Sequence, residues 1–204
     1  MKCKGGYKVM YDYQRNIDAK TNRPLTGRHV HINNCVPCAM HSLGYMSERT
    51  ARYLQRIAPN GVPVKIALNL LNETYGDGHT IKRYEHENIK DYLNPGEATI
   101  LFLRSDGTPI IHCVIVFQSE ENETLIIDPQ QNLVSPITEY LDYDTFKLYL
   151  VIDPETEQRS NKLITPEIIR SVAEKHSFHI TPRTRNRRST KRKSRRTRTR
   201  TRTT

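Results

Sequence analysis

The run IIHCVIVF, which spans residues 110–117, constrains the fold more than any other feature of the sequence. When the run is extended, apolar residues occupy both faces, with Ile110, Val114 and Val116 on one and Ile111, Ile115 and Phe117 on the other. A strand that is apolar on both faces belongs in the interior of a sheet, because both faces must be covered. The run therefore predicts a central strand that carries His112 near its beginning.

Other short runs of branched and aromatic residues predict the rest of this sheet. They lie at residues 98–103, 124–127 and 146–152, and turn residues separate them. The polar segment SEENE between the central run and the next one predicts a hairpin, so these two strands should be antiparallel neighbours. Nearer the start of the chain, residues 6–12 suit a short strand and residues 16–28 a loop.

Helical patterns occupy the first half of the chain and the region after the sheet. A helix is expected to begin at Cys35, because Asn33 and Asn34 precede it and Pro37 lies near its start. Capping residues and apolar spacing predict three more helices, at residues 47–57, 64–72 and 165–175. The fold class expected is α+β, with the first helix packed on an antiparallel sheet.

The net charge of +10 is not spread evenly over the 204 residues. Residues 183–204 contain twelve Lys and Arg and no acid, whereas residues 1–182 contain 20 basic and 22 acidic groups. A segment of this composition cannot bury enough surface to offset its loss of chain entropy. We therefore expect one folded domain over residues 1–180 and a disordered basic tail over residues 181–204.

The tail is expected to bind a polyanion, and nucleic acid is the first candidate. Arg outnumbers Lys there by ten to two, and guanidinium groups hold phosphates bidentately. A solubilising or import role is the simpler alternative. The densest cluster of candidate contacts comprises Arg187, Arg188, Lys191, Arg192, Lys193, Arg195 and Arg196.

Nothing in the sequence predicts secretion or membrane insertion. The N-terminus has no apolar segment of signal-peptide length, and no stretch approaches the roughly 18 apolar residues that span a bilayer. Four cysteines are too few to suggest a disulfide framework. An intracellular, reduced protein without a cofactor is expected.

Three residues occur where a thiol hydrolase needs them. Cys35 lies at a helix start, where free N–H groups and the helix dipole favour a thiolate. His112 lies early in the central strand, and Asp128 ends the strand expected beside it. Antiparallel pairing would bring the histidine and the acid to the same edge of the sheet, so that Asp128 orients the base that takes the proton from Cys35.

The motifs around these residues resemble those of papain-fold cysteine enzymes. The matching segments are NNCVPCAM at a helix start, HCVIV in a strand and LIIDPQ at the end of the next strand. The likeness is closest to papain-fold toxins and glutamine deamidases. It implies a papain-like fold, hydrolysis of an amide in a protein or peptide substrate, a Cys35–His112–Asp128 triad, and Gln130 beside the site.

Two features of the site stay open at this stage. Papain-type enzymes also have a Cys-x-x-Cys whose later cysteine is catalytic, which here would select Cys38, although Cys35 lies closer to the helix N-terminus. The donors to an oxyanion could be the Cys35 amide with Asn33 or Asn34.

Simpler interpretations compete with catalysis. Cys38 and Cys113 are expected to be core residues, because cysteine is often buried. A zinc site at Cys35 and Cys38 lacks a second pair of ligands in the sequence, so no metal is expected. His79 is expected at the surface.

An inactive papain-like binding or packaging protein, held on nucleic acid by its tail, is the alternative function. A domain with such a tail is similar in style to proteins of large DNA viruses, which would place it in the cytoplasm or nucleus of a host cell or in a virion.

Overall fold

The run that begins at Ile111 forms an interior strand of a six-stranded antiparallel sheet in the computed structural model. The structure describes residues 33–84, 89, 91–105, 111–131, 133–140, 146–152 and 162–178. Within these ranges the strands are β1 (Thr80–Tyr84), β2 (Ala98–Ser105), β3 (Ile111–Gln118), β4 (Thr124–Asp128), β5 (Leu133–Pro136) and β6 (Phe146–Ile152).

The sheet order is β1-β6-β2-β3-β4-β5, and every neighbouring pair is antiparallel. Strand β3 therefore lies between β2 and β4, as its two apolar faces predict. The hairpin expected at SEENE joins β3 to β4, with Val116 opposite Ile126. Within the described ranges, the predicted central strand and the antiparallel pairing are both confirmed.

Five helices are described: α1 (Cys35–Ser42), α2 (Glu48–Ile57), α3 (Val64–Tyr75), α4 (Ile137–Tyr140) and α5 (Pro166–Lys175). The N-cap residues predicted at the start of two of these helices, at positions 47 and 165, are confirmed. Ser47 accepts a hydrogen bond from the Thr50 amide, and Thr165 accepts one from the Ile168 amide. The mixed α+β class is therefore confirmed.

Each face of β3 belongs to a separate apolar core. Cys113, Ile115 and Phe117 pack into a core that includes residues of α1, α2, α3 and α5, whereas Val114 and Val116 pack into a smaller core on the opposite face. Helix α1 contacts β3 directly. This packing holds the first residues of α1 close to the beginning of β3, where His112 lies.

Several expectations fall outside the described residues. They are the strand at residues 6–12, the loop at residues 16–28, and the basic tail with its seven candidate contacts. Among the described helices, none combines the length and apolarity needed to cross a membrane.

Candidate active site

Cys35 is the first residue of α1 and keeps part of its surface exposed. Cys38, one turn further along, and Cys113 on β3 are both fully buried in the core. Burial raises the pKa of the Cys113 thiol well above its ordinary value, and the nearby Cys35, Cys38 and Asp128 add to the shift. Of the three described cysteines, Cys35 is the one with solvent-exposed surface.

His112 links the thiol to the carboxylate. Its Nε2 lies 2.7 Å from Oδ2 of Asp128, and it also forms a side-chain hydrogen bond with Cys35. Because Nε2 is occupied by Asp128, Nδ1 is the ring nitrogen left for the sulfur of Cys35. The structure therefore brings together the three residues that the sequence selected.

Asp128 is completely buried and accepts four hydrogen bonds. Its Oδ1 accepts from the backbone amides of Gln130 and Gln131 at 3.0 and 3.1 Å. Its Oδ2 accepts from His112 and, at 2.7 Å, from the hydroxyl of Tyr140. Burial alone would raise the pKa of Asp128, but the hydrogen bonds and the charge of His112 outweigh it and lower the pKa.

The interactions of His112 favour its protonated form, the imidazolium, in spite of its burial. Burial acts to lower the pKa of His112, yet the hydrogen bonds with Asp128 and Cys35, together with the charges of both, raise it to about 9. The ring is therefore protonated at neutral pH when Cys35 carries a thiolate. This is the charge state that a thiolate–imidazolium pair requires.

Tyr140 is a site residue that the sequence did not suggest. It lies at the end of the four-residue helix α4 and donates to the same oxygen of Asp128 that binds His112. Burial, the hydrogen bond with Asp128 and its negative charge raise the pKa of Tyr140, so the phenol stays a donor. No local pattern in the sequence links Tyr140 to Asp128, because a single helical turn carries no periodic signal.

Asn34 stands at the N-cap position of α1, but its side chain does not cap the helix, contrary to expectation. Proline at position 37 has no amide hydrogen to offer, and Asn34 has φ −115° and ψ 14°, outside the extended region of a capping residue. Its Oδ1 instead accepts a hydrogen bond of 2.5 Å from Nε2 of Gln130. Asn33 turns away, and its Nδ2 donates to the carbonyl of Pro59.

A cavity of about 410 Å³ opens beside His112 and Tyr140. Its walls include Leu103 and Leu133, and Glu139 contributes a carboxylate. Its volume lies within the usual range of small-molecule pockets in proteins.

The zinc alternative gains no support from the geometry. Among the described ranges, no group of three or more His, Cys, Asp or Glu is placed to hold a metal ion. His41 is buried, with Nδ1 2.9 Å from the carbonyl oxygen of Met46. His79, expected at the surface, is instead buried, and its ring and its amide both bind Oδ1 of Asn72 near the end of α3.

Comparison with known proteins adds no relative on which to base a function. No protein-family model matches the chain, and no curated protein is significantly similar to it in sequence.

Proposed function

We propose that the protein is a papain-like cysteine hydrolase that cleaves an amide bond, either in a peptide or in the side chain of a glutamine. The observation that carries the proposal is the contact series from Cys35 through His112 to buried Asp128. Each member has the exposure that its role requires, since the nucleophile is accessible and the orienting acid is not.

The chemistry follows from the charge state of the pair. The thiolate of Cys35 attacks the carbonyl carbon, and a tetrahedral oxyanion forms. His112 gives its Nδ1 proton to the leaving nitrogen, the C–N bond breaks, and a thioester remains on the sulfur. His112, now neutral, takes a proton from the water that attacks the thioester, and this step releases the carboxylic acid and restores the Cys35 thiolate beside the imidazolium.

Alkylation by iodoacetamide at neutral pH tests the activated nucleophile. We expect Cys35 to react much faster than a free cysteine in a peptide, because the imidazolium of His112 favours the thiolate. Peptide mapping by mass spectrometry assigns the label, and buried Cys38 and Cys113 serve as internal controls. A Cys35 rate no higher than that of the peptide thiol would disprove the activated nucleophile.

We further propose that the tail binds nucleic acid, on the basis of the twelve basic groups and no acid in residues 183–204. Deletion of these residues is expected to abolish binding to a DNA duplex and to leave alkylation of Cys35 unchanged. Binding by the full chain should fall by about 10³-fold or more between about 50 and 200 mM salt, because phosphate contacts release counterions. Weak salt dependence, or binding that survives the deletion, would contradict this role.

A further inference from the structure

The N-terminus of α1 presents backbone amides that no described residue satisfies. Residues 35 and 36 are the first two of the helix, and their amides have no acceptor among the described residues. Pro37 has no amide hydrogen, and the amide of Cys38 already donates to the carbonyl of Asn34 at 3.0 Å. Two donors are therefore left at the end of the helix that carries the sulfur.

The side chain of Asn34 is a second, independent indication that a ligand binds at this end of α1. The side chain is completely buried, yet its Nδ2 has no hydrogen-bond partner among the described residues. Buried polar atoms in proteins are almost always paired, so an unpaired one calls for an explanation such as a catalytic role or a bound water or ion. Here the unpaired donor belongs to the residue directly before the nucleophile.

The carboxamide of Asn34 is held in one orientation from the opposite side. Nε2 of Gln130 donates to its Oδ1, which directs the NH₂ group away from Gln130. The backbone amide of Gln130 in turn donates to Oδ1 of Asp128, so one turn after β4 fixes both the acid and this carboxamide. Because the carboxamide is already oriented, its NH₂ group does not have to reorient during the reaction.

We infer that Nδ2 of Asn34 and the backbone amide of Cys35 form the oxyanion hole of the site, and that Gln130 is the positioning residue that orients Asn34. This inference rests on the proposed hydrolase function. The ligand is the negatively charged oxygen of the tetrahedral intermediate, which forms when the sulfur attacks a carbonyl carbon. Its charge complements the two N–H donors and the positive end of the helix dipole.

Two reactions of the same sulfur separate this role from a structural one. Hydrolysis of p-nitrophenyl acetate passes through an oxyanion, whereas alkylation by iodoacetamide does not. In the full-length protein, Asn34→Ala is expected to lower kcat for the ester by about 10²- to 10³-fold and to leave the alkylation rate of Cys35 unchanged. Asn34→Asp should lose as much, since it keeps an acceptor for Gln130 but has no donor.

Asn33→Ala is the matched control. Its side chain is exposed and bonded to Pro59, so both rates should stay at the wild-type level. Wild-type ester hydrolysis that persists in Asn34→Ala and Asn34→Asp would overturn the inference, and so would an equal fall in both reactions. A wild-type protein in which Cys35 neither reacts rapidly nor hydrolyses the ester would instead overturn the hydrolase itself.

Discussion

Replacing Cys35 with alanine is expected to reduce amide hydrolysis by on the order of 10⁶-fold, because no other described thiol is accessible to take over the attack. The measurement is mass spectrometry of candidate substrate proteins treated with wild type or with Cys35→Ala. A new chain terminus that appears only with the wild type identifies a peptidase. A change of glutamine to glutamate without cleavage identifies a deamidase.

Cys38→Ala is the matched control for this prediction. Cys38 is the nucleophile that a papain-type Cys-x-x-Cys would select, but it is fully buried one turn into α1. Its replacement should cost some stability through the small cavity it leaves, and it should retain turnover. Loss of turnover in a folded Cys38→Ala protein, with Cys35→Ala still active, would assign the nucleophile to Cys38.

Cys35→Ala also distinguishes the hydrolase from the alternative function, a catalytically inactive binding protein. If Cys35→Ala keeps every measurable property while deletion of residues 183–204 removes them, catalysis is unnecessary and the tail alone accounts for function. If the protein is a hydrolase, modification of the substrate should depend on Cys35, whereas binding to polyanions should depend on the tail.

The meeting of His112 and Asp128 could be predicted because it depends on strand pairing alone. Val116 pairs with Ile126, and both site residues lie an even number of positions from that pair. Side chains at even spacing share a face of the sheet, so the register places His112 and Asp128 on the same side. The approach of Cys35 needed one further fact, the packing of α1 against β3.

The edge of the sheet beyond Asp128 could not be predicted in the same way. Strand β5 exposes Leu133 and Val134 in succession, so it shows no alternation between a buried and an exposed face. Helix α4 has four residues, too few for a periodic pattern. Tyr140, which completes the hydrogen bonding of Asp128, lies in this segment and was missed for that reason.

Asn34 shows a different limit of sequence reasoning. A helix start preceded by asparagine normally predicts a side-chain cap, but Pro37 removes an amide that such a cap would satisfy. The side chain then binds Gln130, which is 96 residues away in the sequence. Only the tertiary fold brings these two carboxamides together.

Asp128→Asn is expected to reduce turnover by about 10³- to 10⁴-fold, although the substitution changes only one atom of a side chain. The amides of Gln130 and Gln131 both donate to Oδ1, so the remaining oxygen of the asparagine should keep that position. The new NH₂ group would then face Nε2 of His112 and the hydroxyl of Tyr140, both of which now donate. To keep a hydrogen bond with this NH₂ group, Nε2 of His112 would have to give up its proton and act as an acceptor, so the imidazolium that the thiolate pair requires would be lost.

The pH profile shows whether the charge of Asp128 acts through His112. The pKa of His112 is raised to about 9, so the imidazolium is present below that pH and kcat/KM of the wild type should fall as pH rises through it. Removing the carboxylate removes the largest of the causes that raise this pKa, while the opposing effect of burial remains. The alkaline limb of Asp128→Asn should therefore move to lower pH.

Tyr140→Phe is the matched variant, because it removes one donor to Asp128 and leaves the negative charge. Its alkaline limb should stay at or above that of the wild type, since a carboxylate with fewer donors binds the imidazolium at least as strongly. Coincident alkaline limbs for wild type and Asp128→Asn would mean that the carboxylate does not control the proton on His112. The triad would then reduce to Cys35 and His112, with Asp128 holding only the turn that carries Gln130 and Gln131.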